Sequence, residues 1–386
     1  MDKYVIENDS ITFSDSFNEP LTEETLDLIK KCKKVTFGKY FNQTVNDLPE
    51  GIAHLKFGYH FNQKLDGLPS TLKELMLDMN FNYPLDFLPV GLTHLTIGCN
   101  YATKYEHSLD NLPNTLTHLI LNLCECHKRL SNPLKNLPHS LSHLEISGSH
   151  IFTICKENGE TLLPPNLRYL KINADIVRFA NLPSGLTTLI FVDSFSINER
   201  LYAENLPEGL EHVQFWRNFK QPLIDEVSGA LFLPRNLKSV KFGMYFDNPL
   251  SSSDGRSYIP NGLTHLTLGF YFNRPILPGI LPETLTHLSF SAHFNNELNE
   301  MNLPSGLKYL RLGNYFRGFI PKRAIPNLTH LEFILGFNGE FEDIPDSLIE
   351  LKVGEEIFTG SEIQEQLHLF KTNGHTNKRF CIATIN

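Results

Sequence analysis

The apolar residues of this chain fall into one short phrase, repeated with little change. Leu or Ile is followed by Pro, two variable residues, Leu or Ile, two variable residues, an apolar residue, one variable residue and a closing apolar residue. One copy reads Leu48-Pro49, Ile52, Leu55, Phe57; the next reads Leu68-Pro69, Leu72, Leu75, Leu77. Fourteen copies carry the proline, from Pro49 to Pro345, and neighbouring prolines lie 19 to 27 residues apart. A unit of that length cannot bury its own apolar face, so copies must stack and share one core.

Residues 48 to 67 define the expected path of a coil. His54-Leu55-Lys56-Phe57 alternates polar and apolar, which predicts a short strand with Leu55 and Phe57 inward and His54 and Lys56 outward. Gly58 is expected to turn the chain through its conformational freedom. Phe61 then re-enters the core, and the Asn62 amide is expected to bond the backbone of its own turn. Pro69 prevents a helix on the return path, which predicts extended chain or a single 3₁₀ turn there.

The period continues upstream of the first proline. Val35 and Phe37 precede Phe41-Asn42, and Ile11 and Phe13 precede Phe17-Asn18. Together these predict a leucine-rich-repeat-like solenoid: about sixteen short parallel strands in a curved, right-handed coil with little helix. The register assigns Leu21–Ile29 to the first coil rather than to a helix. Six longer stretches, at about 99–109, 124–134, 149–160, 196–204, 218–231 and 251–258, are expected as loops leaving one rim. The solenoid spans residues 1–356, with repeats from about 11 to 353. Residues 357–386 read as a cap, with a helix opening at Ser361-Glu-Ile-Gln364 and a strand at 379–385.

Composition narrows the function. The net charge of −9 over 386 residues opposes a nucleic-acid role, which needs a basic stripe. No run of apolar residues is long enough to span a bilayer, and the polar opening MDKYVIENDS does not resemble a signal peptide, so a cytoplasmic location is expected. Six cysteines lack regular spacing; Cys124-Glu-Cys126-His127 is the one close group and has no partner pair to complete a zinc site. Phosphate-loop, dinucleotide, zinc-protease and nucleophile-elbow motifs are absent. We therefore expect no enzyme, no cofactor and no metal.

The most patterned outward site lies just before the first inward residue of each strand. It holds His54, His94, His118, His143, His212, His265, His287 and His330, half of the 16 histidines, with Tyr169 and Tyr309 in other copies. On the concave face of a solenoid these side chains form a column about 4.8 Å apart. It reads as a structural ladder, as part of a partner-binding surface, or as both. Trp216, beside Arg217 and Phe219 and next to a long loop, adds a candidate contact on the rim.

Phe-Asn pairs recur at 17–18, 41–42, 61–62, 81–82, 272–273, 294–295 and 337–338, three of them followed by x-Pro or Arg-Pro as in Phe81-Asn-Tyr-Pro-Leu85. Combined with Leu-Pro-x-x-Leu-x-x-Leu, this chain resembles the FNIP repeat family, leucine-rich-repeat relatives found in amoebae and giant viruses. The resemblance covers about residues 11 to 353. It implies a protein-interaction scaffold, in the host cytoplasm if the protein is viral, with a protein partner of unknown identity. Many members carry an amino-terminal F-box, but here the repeats begin by about residue 11. The alternative reading is thus a substrate adaptor of a ubiquitin-ligase pathway that acts without its own F-box.

Overall fold

The computed structural model describes residues 3–98, 107–122, 136–147, 154, 160–173, 182–192, 201–225, 227–334, 340–341 and 345–365. The chain forms two units, Met1–Glu199 and Arg200–Asn386. The first contains β1 (Tyr4–Glu7), β2 (Ser10–Phe13), α1 (Glu23–Ile29), β3 (Lys34–Thr36), β4 (His54–Lys56), β5 (Glu74–Leu77), β6 (His94–Gly98), β7 (His118–Asn122), β8 (His143–Ser147), β9 (Tyr169–Asn173) and β10 (Thr188–Val192). Strands β2 to β10 form a parallel ladder in chain order. Its register aligns Ser10, Lys34, His54, Glu74, His94, His118, His143, Tyr169 and Thr188.

The second unit contains β11 (His212–Gln214), β12 (Ser239–Lys241), β13 (His265–Thr267), β14 (His287–Ser289), β15 (Tyr309–Leu312), β16 (Phe319–Ile320), β17 (His330–Phe333), β18 (Glu340–Phe341), β19 (Glu350–Val353) and β20 (Glu356–Thr359). Its ladder aligns His212, Ser239, His265, His287, Tyr309, His330 and Glu350. Strands β16 and β18 pair separately. The repeat positions from Ile11 to Val353 carry strands, and their inward residues are dry: Leu55, Leu95, Leu266 and Leu331 are each 1% exposed.

Each part of the repeat has a mechanical reason. Leu-Pro-x-x-Leu closes a β-turn, in which the Leu72 N–H donates to the Pro69 carbonyl (3.1 Å) and the Leu285 N–H to that of Pro282 (2.9 Å). The phenylalanines of successive corners stack: Phe17, Phe41, Phe61 and Phe81 lie 5.9, 6.2 and 6.3 Å apart, and Phe246, Phe272, Phe294 and Phe316 lie 6.1, 6.3 and 6.3 Å apart.

Two expectations about the corner require correction. The Asn amide does not serve its own turn. Asn42 Oδ1 accepts from the Asn62 N–H (2.8 Å) and Asn62 Oδ1 from the Asn82 N–H (2.9 Å), so each amide ties its coil to the next. The second unit repeats this with Asp247 Oδ1 to the Asn273 N–H and Asn273 Oδ1 to the Asn295 N–H, both 2.9 Å. Nor does Gly58 use a left-handed backbone. A Cβ there would sit 2.4 Å from the Gly38 carbonyl oxygen, and one at Gly269 would sit 2.1 Å from that of Gly243. Glycine is needed because successive corners touch backbone to backbone.

Other differences lie at the ends. Residues Glu23–Ile29 are helical, because the Thr22 side chain caps the Thr25 N–H and Glu23 and Glu24 occupy the first turn. The terminal ladders are lined by unpredicted hairpins: β1 runs antiparallel to β2 through Asn8 at φ 53°, and β20 runs antiparallel to β19. The chain turns helical at 361–365, with Ile363 buried, but the rest of the expected cap helix and the strand at 379–385 lie outside the described residues. The expected loops at 99–109, 124–134, 149–160 and 196–204 lie largely outside them as well. Those at 218–231 and 251–258 form small hairpins through the Ile224–Leu231 and Ser251–Ser257 bridges. No helix among the described residues is long and apolar enough to cross a membrane.

Candidate functional site

The parallel register brings the outward histidines of neighbouring strands side by side. In the first unit His94 stacks on His118 at 4.1 Å, His118 on His143 at 5.0 Å and His143 on Tyr169 at 4.0 Å, the last pair within 5° of parallel. In the second, His265 stacks on His287 at 4.1 Å and His287 on Tyr309 at 5.7 Å. These rings are half-buried or exposed, while the residue after each is core. His54 stands apart, with Nδ1 2.7 Å from Glu74 Oε2. His212 is exposed beside Ser239, and His330 follows Tyr309 in the register.

The residue before five of these histidines sets a hydroxyl against the ring. The Thr93 hydroxyl donates its one proton to the Lys73 carbonyl (3.0 Å) and lies 2.9 Å from His94 Nδ1. The hydroxyl thus ties the ring nitrogen to the backbone of the preceding coil and holds the orientation of the ring. Thr117, Thr264, Thr286 and Thr329 repeat the arrangement at His118, His265, His287 and His330, each hydroxyl 2.9 Å from Nδ1. Burial, reinforced by the neighbouring histidines, holds His118, His265 and His287 below the ordinary histidine range.

Charged groups flank the stacks. Glu145 receives His143 Nε2 at 3.0 Å and Lys171 Nζ at 2.9 Å, and these bonds hold its carboxyl low against the opposing effect of burial. Tyr309 donates its hydroxyl to Glu332, which also pairs with Arg311 Nε and Lys352 Nζ, each at 3.4 Å. Burial, then the Glu332 bond, pushes the Tyr309 phenol up.

Parallel stacked rings point their lone pairs alongside one another, whereas a metal needs them to converge. Among the described residues no three of His, Cys, Asp and Glu gather at a metal-binding distance. The Cys124-Glu-Cys126-His127 group lies outside the described residues.

Trp216 does not lie on the rim. It is 3% exposed and meets Phe215 and Phe219 edge to face, at 6.4 and 5.1 Å. The loop beside it packs back over the corner: Phe232 lies 5.8 Å from Phe215. The indole is thus part of the core and unavailable to a partner. The sequence reading also missed an aromatic column. In six coils the residue before the corner Phe is Tyr40, His60, Tyr245, Tyr271, His293 or Tyr315, and these rings line up from coil to coil, with Tyr40 and His60 5.0 Å apart. The repeated Tyr/His-Phe pair was the available signal.

The FNIP Repeat profile matches residues 41–78, 61–100, 81–124, 198–245, 229–271, 256–293 and 294–336. Among solved structures, the chain is similar to CroV588, "a novel circular LRR protein structure", with 28% identity and a TM-score of 0.60 over 92% of this chain and 61% of that one. It is also similar to the TLR13–ssRNA13 complex, at 13% identity and a TM-score of 0.52 over 91% of this chain and 65% of that one, a likeness of fold alone. The chain thus spans about three-fifths of the length of CroV588. No curated protein sequence matches it significantly.

Proposed function

The chain belongs to the FNIP repeat family, and from that premise we propose that it is a non-catalytic scaffold that binds a partner protein on the open face of its sheets. The contact strip is the column His54, His94, His118, His143 and Tyr169 in the first unit, and His212, His265, His287, Tyr309 and His330 in the second. Hairpins at 218–231 and 251–258 extend the surface along the edge.

The observation that carries this reading is the locked histidine. A purely structural ladder needs ring stacking alone, but here Thr93 and its counterparts before His118, His265, His287 and His330 also hold each ring by Nδ1, in an orientation set before any partner arrives. A row of imidazoles held at coil spacing suits the polar groups of a protein surface, and it is pre-organised, so little ordering entropy opposes binding.

The test replaces His94, His118 and His143 together with Gln, which keeps hydrogen-bonding capacity but loses the ring. Affinity capture from native cells should lose the wild-type partner, while the melting temperature stays close to that of the wild type. Retention of the same partner by the folded variant would exclude the column as the contact surface.

A further inference from the structure

The second unit carries another ladder, on the corner that follows each strand. Tyr245, Tyr271, His293 and Tyr315 stand in sequence with ring centroids 5.1, 4.8 and 4.8 Å apart. Phe270 sets its ring edge-on to Tyr271 at 5.1 Å and lies 5.2 Å from His293. Phe270 is 37% exposed, Tyr271 39% and Tyr315 51%, whereas the next corner residues, Phe272 and Phe316, are 1% exposed. The repeat thus sets a wet ring directly beside a dry one in each coil. Exposed tyrosine and phenylalanine with arginine nearby is the composition of an interface hot spot.

The charges around this ladder run against those of the whole molecule. The Arg217 guanidinium and the Lys220 ammonium lie 6.0 and 5.1 Å from the Tyr245 ring centroid. Arg274 and Arg317 follow Phe272 and Phe316 along the same edge. Arg274 pairs with Asp247 at 3.0 Å. No carboxylate among the described residues lies within ion-pair reach of Arg217, Lys220 or Arg317. In a chain of net charge −9 this is a local basic edge.

Ring orientation selects the kind of partner. Tyr245 and Tyr271 stack within 15°, and His293 is tilted 34° and 37° to its neighbours at 4.8 Å, so close spacing covers much of the inner ring faces and turns ring edges and phenol hydroxyls to solvent. Ring edges carry the positive end of the aromatic quadrupole, and phenols can donate to carboxylates. Bases of a single-stranded nucleic acid need free ring faces, which the interior of this ladder lacks. We propose that the corner edge formed by Arg217, Lys220, Tyr245, Tyr271, Tyr315 and Arg317 docks an extended acidic segment of a partner protein. Carboxylates meet the cations and hydroxyls, while apolar side chains rest on Phe270 and the ring edges. This surface is separate from the histidine column and does not depend on it.

Fluorescence anisotropy with the whole chain tests the proposal, using three labelled probes: a short Glu-rich peptide with interspersed leucines, the same peptide with Lys for Glu, and a short oligouridylate. The acidic peptide should bind, and added salt should weaken it. Reversing Arg217, Lys220 and Arg317 to Glu should abolish binding, and Tyr271→Ala should weaken it about tenfold. Reversing Arg235, Lys238 and Lys308, which precede strands rather than follow them, should leave binding intact. Circular dichroism melts establish that each variant is folded. Failure of the acidic peptide to bind, equal loss in the second charge-reversal variant, or tighter binding of oligouridylate would each overturn the proposal. The His94, His118 and His143 variant should bind the probe like the wild type, so this result stands or falls apart from that of the column.

Discussion

Two stretches of the first unit solve the same stacking problem differently. Around β3 and β4 the strands are three residues long, then Gly38 or Gly58 lets the corners touch and Phe41 or Phe61 continues a buried ring ladder. From β6 to β10 the strands lengthen to five residues, and the Phe-Asn corner is gone. There the ladder gains backbone pairs instead, and the ring stack moves outside, onto His94, His118, His143 and Tyr169. The outward stack does not simply replace the inner one, because in the second unit His265 and His287 stack directly above coils that retain Phe246, Phe272 and Phe294. Lys34, His54 and Glu74 hold the outward position of β3 to β5 without a ring stack, and those coils keep the same register. Pitch is therefore set by the ladder and the core, and the outward column is free to serve recognition.

The sharpest way to break that division uses two neighbours on one strand. Leu266→Ala empties a fully packed inward site and should cost about 2–5 kcal/mol. His265→Ala, one residue earlier and exposed, should cost under about 1 kcal/mol. Urea unfolding of both variants decides the matter. Equal losses would mean that the outward stack bears as much of the fold as the core does.

This division explains what the sequence could and could not disclose. Leu55, Leu95 and Leu266 were legible because burial of one strand face imposes strict alternation, and a slip of one residue would expose them all. The purpose of Asn62 was not legible. Its partner, the Asn82 N–H, lies a full coil away, and nothing in a single repeat distinguishes a bond within the turn from one across coils. Gly58 was misread for the same reason: its constraint comes from Gly38 in the preceding coil. Trp216 looked like a contact residue because it adjoins a loop, but that loop folds back and Phe232 closes over the cluster. Residues 23–29 followed local capping chemistry, which the repeat register overrode in the reading though not in the molecule. Of the candidate site, the column of residues was readable from spacing. The hydroxyl that holds each ring was not, since it is placed by the carbonyl of the coil before.

A smaller effect sharpens the comparison at the corner. Asn62→Ala removes the acceptor for the Asn82 N–H and should cost about 1 kcal/mol, as loss of one partly buried hydrogen bond does. Gln63→Ala removes side-chain bonds to Asn42 alone, in which the amide donates to oxygens that water can also serve, and should cost less. A larger loss at Gln63 would show that the glutamine rather than the asparagine ties the coils together.

The smallest expected effect separates the two ladders by titration, because phenylalanine rings carry no proton and imidazoles do. His118, His265 and His287 have folded-state values held below the ordinary value of about 6.5, by burial first and neighbouring imidazoles second. Between the ordinary value and those lowered ones, the unfolded chain binds protons that the folded chain refuses. Stability contributed by the neutral rings is therefore complete above about pH 7 and declines as the pH falls from there toward 5. The groups facing these rings do not reverse the sign. His94 and His143 flank His118, and their protonation adds repulsion. Glu145 is drawn to Lys171 and its carboxyl is held low, so it stays charged through the whole interval. His212 acts on His265, and His265 and His330 act on His287, in the same sense, while the Tyr309 phenol remains protonated. The melting temperature should fall modestly from pH 7 to 5, and His118→Gln combined with His265→Gln and His287→Gln should flatten that slope while leaving the melting temperature at pH 7.5 nearly unchanged. An unaltered slope in the triple variant would assign the acid sensitivity to other groups and leave the histidine column as an ordinary solvated face.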